Sequence, residues 1–206
     1  MHTEVRHPLV QHKLSILRDA STGTKQFREL ASELTLFLTY EALKNLETVP
    51  CDVETPLMTA HCRHLENELV VVPILRAGIG MMDGVSTMVP NVRVGFIGLY
   101  RDPKTALPVE YYAKMPEAKD NSIAIVVDPM LATGGSSAAA IDLIKKRGFR
   151  KIIFICMVSC PEGITRLEND HPDVPIYTAS IDERLNEHKY ILPGLGDAGD
   201  RLFGTK

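Results

Sequence analysis

The chain has 206 residues, 45% of them hydrophobic and 24% charged, with 26 acidic residues against 23 lysines and arginines for a net charge of −3. That length suits one domain spanning 1–206, with a core large enough to need no covalent staples. The acidic balance argues against bulk nucleic-acid affinity while leaving room for a local basic patch, and no apolar run approaches the roughly 18 residues of a membrane span.

The first fifteen residues, MHTEVRHPLVQHKLS, lack the apolar stretch of a secretory signal. Cys51, Cys62, Cys156 and Cys160 form neither a CxxC pair nor a zinc spacing. The expectation is a cytoplasmic protein with buried, reduced thiols and no membrane or nucleic-acid partner. Residues 27–46, FRELASELTLFLTYEALKNL, place Phe27, Leu30, Ala31, Leu34, Leu38, Ala42 and Leu46 on one helical stripe. Leu36, Phe37 and Leu43 widen that stripe beyond what one sheet face needs. It is either plain core or a helix shared with a second copy, and a homo-oligomer, dimer or tetramer, is expected.

Three runs follow: LVVVPIL (69–75), SIAIVVD (122–128) and KIIFICMVS (151–159). Each is rich in Val and Ile without polar alternation, the pattern of parallel strands buried on both faces. A helical stretch from Ser136 to Arg147, stopped by Gly148, completes a βαβ unit between the second and third runs. The fold class is α/β, a mostly parallel sheet flanked by helices. Between the first and second runs, residues 92–115 read as two β-rich segments around RDPKTALP, a hairpin or flap. The last segment, YILPGLGDAGDRLFGTK (190–206), is Gly-rich and shows neither helical nor strand periodicity.

The chemistry concentrates in VVDPMLATGGSSAAAIDLI (126–144). Gly134 and Gly135 let backbone N–H groups approach a ligand. The helix that follows turns its unpaired N–H groups and positive dipole end to the same spot. Thr133, Ser136 and Ser137 add hydroxyls. The loop is either a phosphate cradle or a simple Ser/Gly helix cap. It is not a P-loop, for it has no lysine.

Asp128 favours the cradle, because a carboxylate at a strand's C-terminal end suits the vicinal hydroxyls of a ribose whose 5′-phosphate sits in the loop. PILRAGIG (73–80) puts Arg76 at the end of the first strand, and Arg101 stands in the flap. With the loop they form two anion sites flanking a ribose, the outline of a phosphoribosyl diphosphate. GIGMMDG (78–84) falls short of a dinucleotide fingerprint because Asp83 takes the third glycine's place, which counts against an oxidoreductase. Met81 and Met82 read as core.

The strings VVDPMLATGGS, ILRAG, YRDP and PGLGDAGDRLFGTK, with HPLVQHKL and TGTKQFREL near the start, resemble the uracil phosphoribosyltransferase family over essentially the whole chain. The resemblance implies a type I phosphoribosyltransferase fold, with residues 180–206 as a hood over the carboxyl edge. The implied reaction joins uracil to 5-phosphoribosyl 1-diphosphate, giving UMP and diphosphate. Asp128, Pro129, Met130, Leu131, Ala132, Thr133, Gly134, Gly135 and Ser136 would hold the ribose 5-phosphate end. Arg76 and Arg101 would contact the diphosphate. Ile191, Gly196, Asp197 and Ala198 would form the uracil pocket through backbone groups, with Asp197 also near the phosphoribosyl substrate. Asp128, Arg101 and Asp197 are the implied catalytic residues.

Most type I members carry two adjacent acidic residues where this chain has Asp128-Pro129, a feature it shares with the uracil branch. Mg²⁺, the implied cofactor, would then arrive on the diphosphate rather than in a protein cage. Closure of the 101–110 flap would exclude water from the ribose C1. Some members of the family are activated by GTP, so GTP is a possible effector. A pyrimidine-responsive RNA-binding regulator on the same fold would need a basic face, which the net charge of −3 argues against.

Overall fold

The computed structural model describes residues 1–101 and 108–205, with the side chains of Arg101 and Pro108 outside that description. The chain opens with a short strand, β1 (His2–Glu4), and two helices, α1 (Pro8–Arg18) and α2 (Thr24–Ala42). A hairpin of β2 (Thr48–Glu54) and β3 (Thr59–Leu65) stands apart from the main sheet. Next come β4 (Glu68–Leu75), α3 (Ile79–Met88), β5 (Arg93–Val94), β6 (Phe96–Arg101) and β7 (Pro108–Lys114). The central unit is β8 (Ser122–Val127), β9 (Met130–Leu131), α4 (Gly135–Lys146) and β10 (Lys151–Ser159). The chain closes with α5 (Pro161–Asp170), β11 (Ile176–Ile181), β12 (Arg184–Leu185), β13 (Ile191–Leu192) and α6 (Ala198–Phe203).

The main sheet runs β1-β11-β10-β8-β4-β6-β7, with β5 beside β4 and β9 beside β10. Its ladders are parallel except β6 against β7, the antiparallel pair that the flap reading of 92–115 calls for. Side chains on one strand alternate between faces. Leu69, Val71, Ile123, Ile125 and Val127 join a core with residues of α1, α2, α3 and α6. Val70, Val72, Ala124, Val126, Phe154 and Cys156 join a second core with residues of α4 and α5. Both faces are covered, which is why these strands read as unbroken apolar runs.

Several boundaries differ from the sequence reading. The helix proposed for 27–46 ends at Ala42, and a turn in which the Leu46 N–H donates to Leu43 O (3.1 Å) takes its place. Leu46 still packs on the core from that turn. The tail is not aperiodic: it forms β13 and α6, elements too short to show a period. The thiol expectation holds for Cys156 and Cys160, which are buried. Cys51, however, is half-buried and Cys62 exposed, facing each other across the β2–β3 pair.

The glycines of 78–84 serve packing. A Cβ on Gly78 would stand 2.5 Å from Val127 O, so the loop after β4 lies directly on the end of β8. A Cβ on Gly84 would meet Ser32 O at 2.3 Å, which sets α3 hard against α2. Gly84→Ala is therefore expected to force the two helices apart and cost about 1–3 kcal/mol, as overpacked cores do. Denaturant unfolding checks this; a midpoint equal to that of the parent contradicts the contact.

Candidate active site

Strand β8 ends at Val127, and Asp128 is the first polar side chain beyond six consecutive buried residues. Its N–H still pairs with Ile155 O (3.2 Å), so the backbone holds the carboxylate at the sheet's carboxyl edge. One oxygen, Oδ1, accepts a long hydrogen bond from Met130 N (3.5 Å). Burial pushes the carboxyl up to about 7, and that single N–H offsets only part of the lost hydration. Pro129 O then accepts from Met157 N (3.0 Å) and Val158 N (3.1 Å), which clips β9 onto β10 and aims the chain toward α4.

Gly134 sits at the N-cap of α4 with φ +74°, a conformation that glycine adopts without strain. The N-cap residue is itself a glycine and lends no side chain to the helix end. The N–H groups of Gly135, Ser136 and Ser137 have no intrahelical partner by position. They border a cavity of about 300 Å³ lined by Asp128, Met130, Ala132, Thr133, Gly134, Ser136 and Ser137 and closed by 188–190. The positive helix end and these donors make that cavity suited to an anion.

A second cavity of about 180 Å³ adjoins it, lined by Ala77, Gly196, Asp197, Ala198 and Gly199. Asp128, Met130, Lys189 and Tyr190 line both, so the two form one cleft with Asp128 at the junction.

The sequence-named residues distribute unevenly over this cleft. Asp128, Met130, Ala132, Thr133, Gly134, Ser136, Gly196, Asp197 and Ala198 line it. Leu131 does not: its side chain is fully buried in the core, and its carbonyl accepts from Cys160 N. Pro129 and Gly135 contribute backbone beside the lining residues. The Ile191 side chain is buried in the core at 3% exposure, and Ile191 lines neither cavity. Arg76 is exposed at the end of β4, its guanidinium 5.8 Å from the Phe203 ring centroid. Asp197 caps α6, with Oδ1 accepting from Asp200 N (2.9 Å). The Arg101 side chain and residues 102–107 of the flap lie outside the described residues.

His188, Lys189 and Tyr190, with Ala77 and Gly199, are lining residues that sequence reasoning missed. Lys189 has φ +66°, held by a turn in which Asn186 Oδ1 accepts from both His188 N and Tyr190 N at 2.9 Å. An asparagine ahead of the HKY triplet was the one available signal, because asparagine side chains fasten turns of this kind.

Among the described residues no group of three His, Cys, Asp or Glu side chains could hold a metal. The cleft's carboxylates are Asp128 and Asp197. No described helix is long and apolar enough to cross a membrane.

The family model for uracil phosphoribosyltransferase matches residues 4–205. A uracil phosphoribosyltransferase of Dictyoglomus thermophilum is 60% identical over 203 residues, covering 98% of this chain and 98% of its own. That of Acholeplasma laidlawii is 56% identical over 202 residues, covering 98% and 97%. Among solved structures, the AQ2163 protein from Aquifex aeolicus superposes with a TM-score of 0.95 at 39% identity, covering 100% of this chain and 99% of its own.

The half-buried Asp128 makes stability depend on pH. Its folded-state pKa of about 7 lies above the ordinary 3.8, so its burial is tolerated fully in acid and progressively opposed as pH rises through 7. Asp128→Asn is expected to gain stability relative to the parent between pH 4 and 8, by up to about 4 kcal/mol at 1.36 kcal/mol per unit. Thermal melts of both proteins across that range measure it. A stability difference independent of pH contradicts the assignment.

Proposed function

The chain belongs to the uracil phosphoribosyltransferase family, and we propose that it transfers the phosphoribosyl group of 5-phosphoribosyl 1-diphosphate to N1 of uracil, giving UMP and diphosphate. One observation carries the assignment of roles. Asp128 stands where an anion-suited cavity meets a pocket walled by glycine-rich backbone. A nucleoside monophosphate has that order of parts: phosphate, ribose, base.

In this reading the amides of Gly135, Ser136 and Ser137 and the Thr133 hydroxyl bind the 5-phosphate. The vicinal hydroxyls of the ribose donate to Asp128. Two O–H donors replace the hydration that burial removed and favour the ionised carboxylate. Uracil lies against Gly196, Asp197 and Ala198, and backbone groups read its edge.

The N1–C1 bond forms as the bond from C1 to diphosphate breaks, so negative charge grows on the leaving group. Arg76, exposed at the end of β4, is the described cation proposed to meet it. Arg101 is assigned the same task on the family resemblance. Mg²⁺ is proposed to arrive on the diphosphate, where it would neutralise charge. Asp128 aligns the ribose. Asp197 holds the turn that presents the base-binding backbone.

The proposal extends to assembly, regulation and setting. The widened stripe of α2 leaves Leu36 and Phe37 half-buried and Tyr40 68% exposed along an apolar groove with Val10 and Met88, which supports pairing with a second copy. GTP as an effector and a cytoplasmic setting are carried on the resemblance and the sequence pattern.

Diphosphate release is the test of the reaction, with uracil, cytosine, orotate and hypoxanthine supplied separately beside 5-phosphoribosyl 1-diphosphate and Mg²⁺, with and without GTP. UMP formation from uracil alone is expected; turnover with another base in preference contradicts the proposal.

Ala198 is buried at 4% exposure in the pocket wall, so Ala198→Val is expected to raise the uracil KM about tenfold or more while the diphosphate substrate's KM holds. Steady-state kinetics in both substrates check it, and an unaltered uracil KM places the base elsewhere.

A further inference from the structure

The loop 193–196 carries the backbone that leads into Gly196, Asp197 and Ala198, and the side chain that anchors it is Leu195, buried in the core at 4% exposure. Gly194 and Gly196 adopt φ +62° and +81°, and Pro193 and Gly196 are exposed. Glycines at positive φ are free in the unfolded chain and gain nothing from side-chain packing. Leu195 anchors the loop by one side chain, and the main-chain groups of Gly194 and Leu195 take their partners from outside it.

Two arginines are among those partners. Arg18, the last residue of α1, forks onto Asp182, with Nη1 donating to Oδ2 (2.7 Å) and Nη2 to Oδ1 (2.5 Å). The same Nη1 donates to Gly194 O (2.6 Å), and Gly194 N donates to Asp182 Oδ2 (2.8 Å). One ion pair thus takes both polar groups of Gly194. Asp182 is buried, and Ser180 Oγ donates to its Oδ1 (2.8 Å). Burial raises this carboxyl, but the Arg18 guanidinium, the Ser180 hydroxyl and the Gly194 N–H outweigh it and hold it below its ordinary value.

One residue further on, Arg201 of α6 donates from Nη1 to Leu195 O (2.8 Å) and from Nη2 to Asp19 O (2.5 Å). Its guanidinium lies 4.4 Å from the Phe27 ring centroid, which fixes the plane of the fork. Neither arginine lines the two cavities that Asp128 joins; both border a neighbouring cavity of about 600 Å³ that shares Tyr190, Gly196 and Asp197 with the smaller of them.

We propose that Arg18, acting through Asp182 and Gly194, and Arg201, acting through Leu195, are positioning residues for base recognition, holding the 193–196 backbone so that 196–198 meets uracil in one fixed geometry. This rests on the reading that uracil binds at 196–198. The physical reason is that a base read by main-chain groups gains nothing from side-chain adjustment. A shift of about 1 Å in the loop is enough to lose those bonds. A flexible ammonium cannot replace either fork, since each arginine holds two or three acceptors in one plane.

Arg18→Lys and Arg201→Lys, each retaining charge, test the proposal against wild type by steady-state kinetics in both substrates, with thermal melts alongside. Wild type should form UMP from uracil. Each variant should show a uracil KM raised about tenfold or more, with kcat and the KM for 5-phosphoribosyl 1-diphosphate within about twofold.

The double variant Arg18→Met/Asp182→Leu removes both charges together, so neither is left without its partner. It also deprives Gly194 N–H and O of their partners, so its melting temperature should fall while the folded protein keeps a raised uracil KM. Arg201→Lys, whose acceptors are the main-chain carbonyls of Leu195 and Asp19, keeps the test open should the Arg18 variants fold poorly. An unchanged uracil KM in folded variants overturns the positioning role, as does an equal change in both KM values and kcat that follows melting temperature. Wild type that forms no UMP from uracil removes the family-based reading and this inference with it, an outcome visible before any variant is measured.

Discussion

Burial of the central strands on both faces is the constraint from which the rest of the molecule follows. In β4, β8 and β10 the backbone is committed to parallel ladders and the side chains to two separate cores. No polar side chain can enter there without losing its hydration. Chemistry is displaced to the carboxyl edge, where crossover connections leave loops and helix starts. Asp128 stands at that boundary, one residue past a fully buried run, and its carboxyl is pushed up to about 7 as a consequence. The ribose proposed for the site supplies the hydrogen bonds the free carboxylate lacks.

Around Asp128 the chain uses main-chain atoms more than side chains. Pro129 O ties the loop to β10, Gly78 lets the neighbouring loop lie on Val127 O, and Gly134 turns the chain into α4 at φ +74°. At the other end of the cleft, Gly196 and Ala198 offer backbone too. Recognition by main chain is specific only if the main chain is held. The arginine forks on Gly194 and Leu195 are the counterpart, behind the base pocket, of the ladder that holds Asp128. In the proposed reaction the phosphate end is fixed by sheet and helix, and the base end by ion pairing and ring contact.

How much of this was legible depended on whether the signal was local. The runs at 69–75, 122–128 and 151–159 announced their strands because burial on both faces demands Val and Ile in sequence. Gly148 stopped α4 as expected, with φ +93°. The β2–β3 hairpin escaped notice because it is largely exposed and carries no run of apolar residues. Six-residue α6 is shorter than two helical turns, so its pattern had no room to repeat.

Leu131 belonged to the right segment, yet the pleat of β9 turns it into the core, which a contiguous motif cannot reveal. The Arg18–Asp182 pair spans 164 residues, and only folding brings such partners together. Lys189 and Tyr190 belong to the same class, since a turn places them over a cleft whose other wall lies some sixty residues earlier in the chain.

A crystal structure of the protein bound to UMP tests the central claim most directly. The account predicts the phosphate on the amides of Gly135, Ser136 and Ser137, both ribose hydroxyls on Asp128, and the uracil edge against the backbone of 196–198. A nucleotide bound with its ribose away from Asp128, or with its base outside the pocket of Gly196 and Ala198, would contradict it.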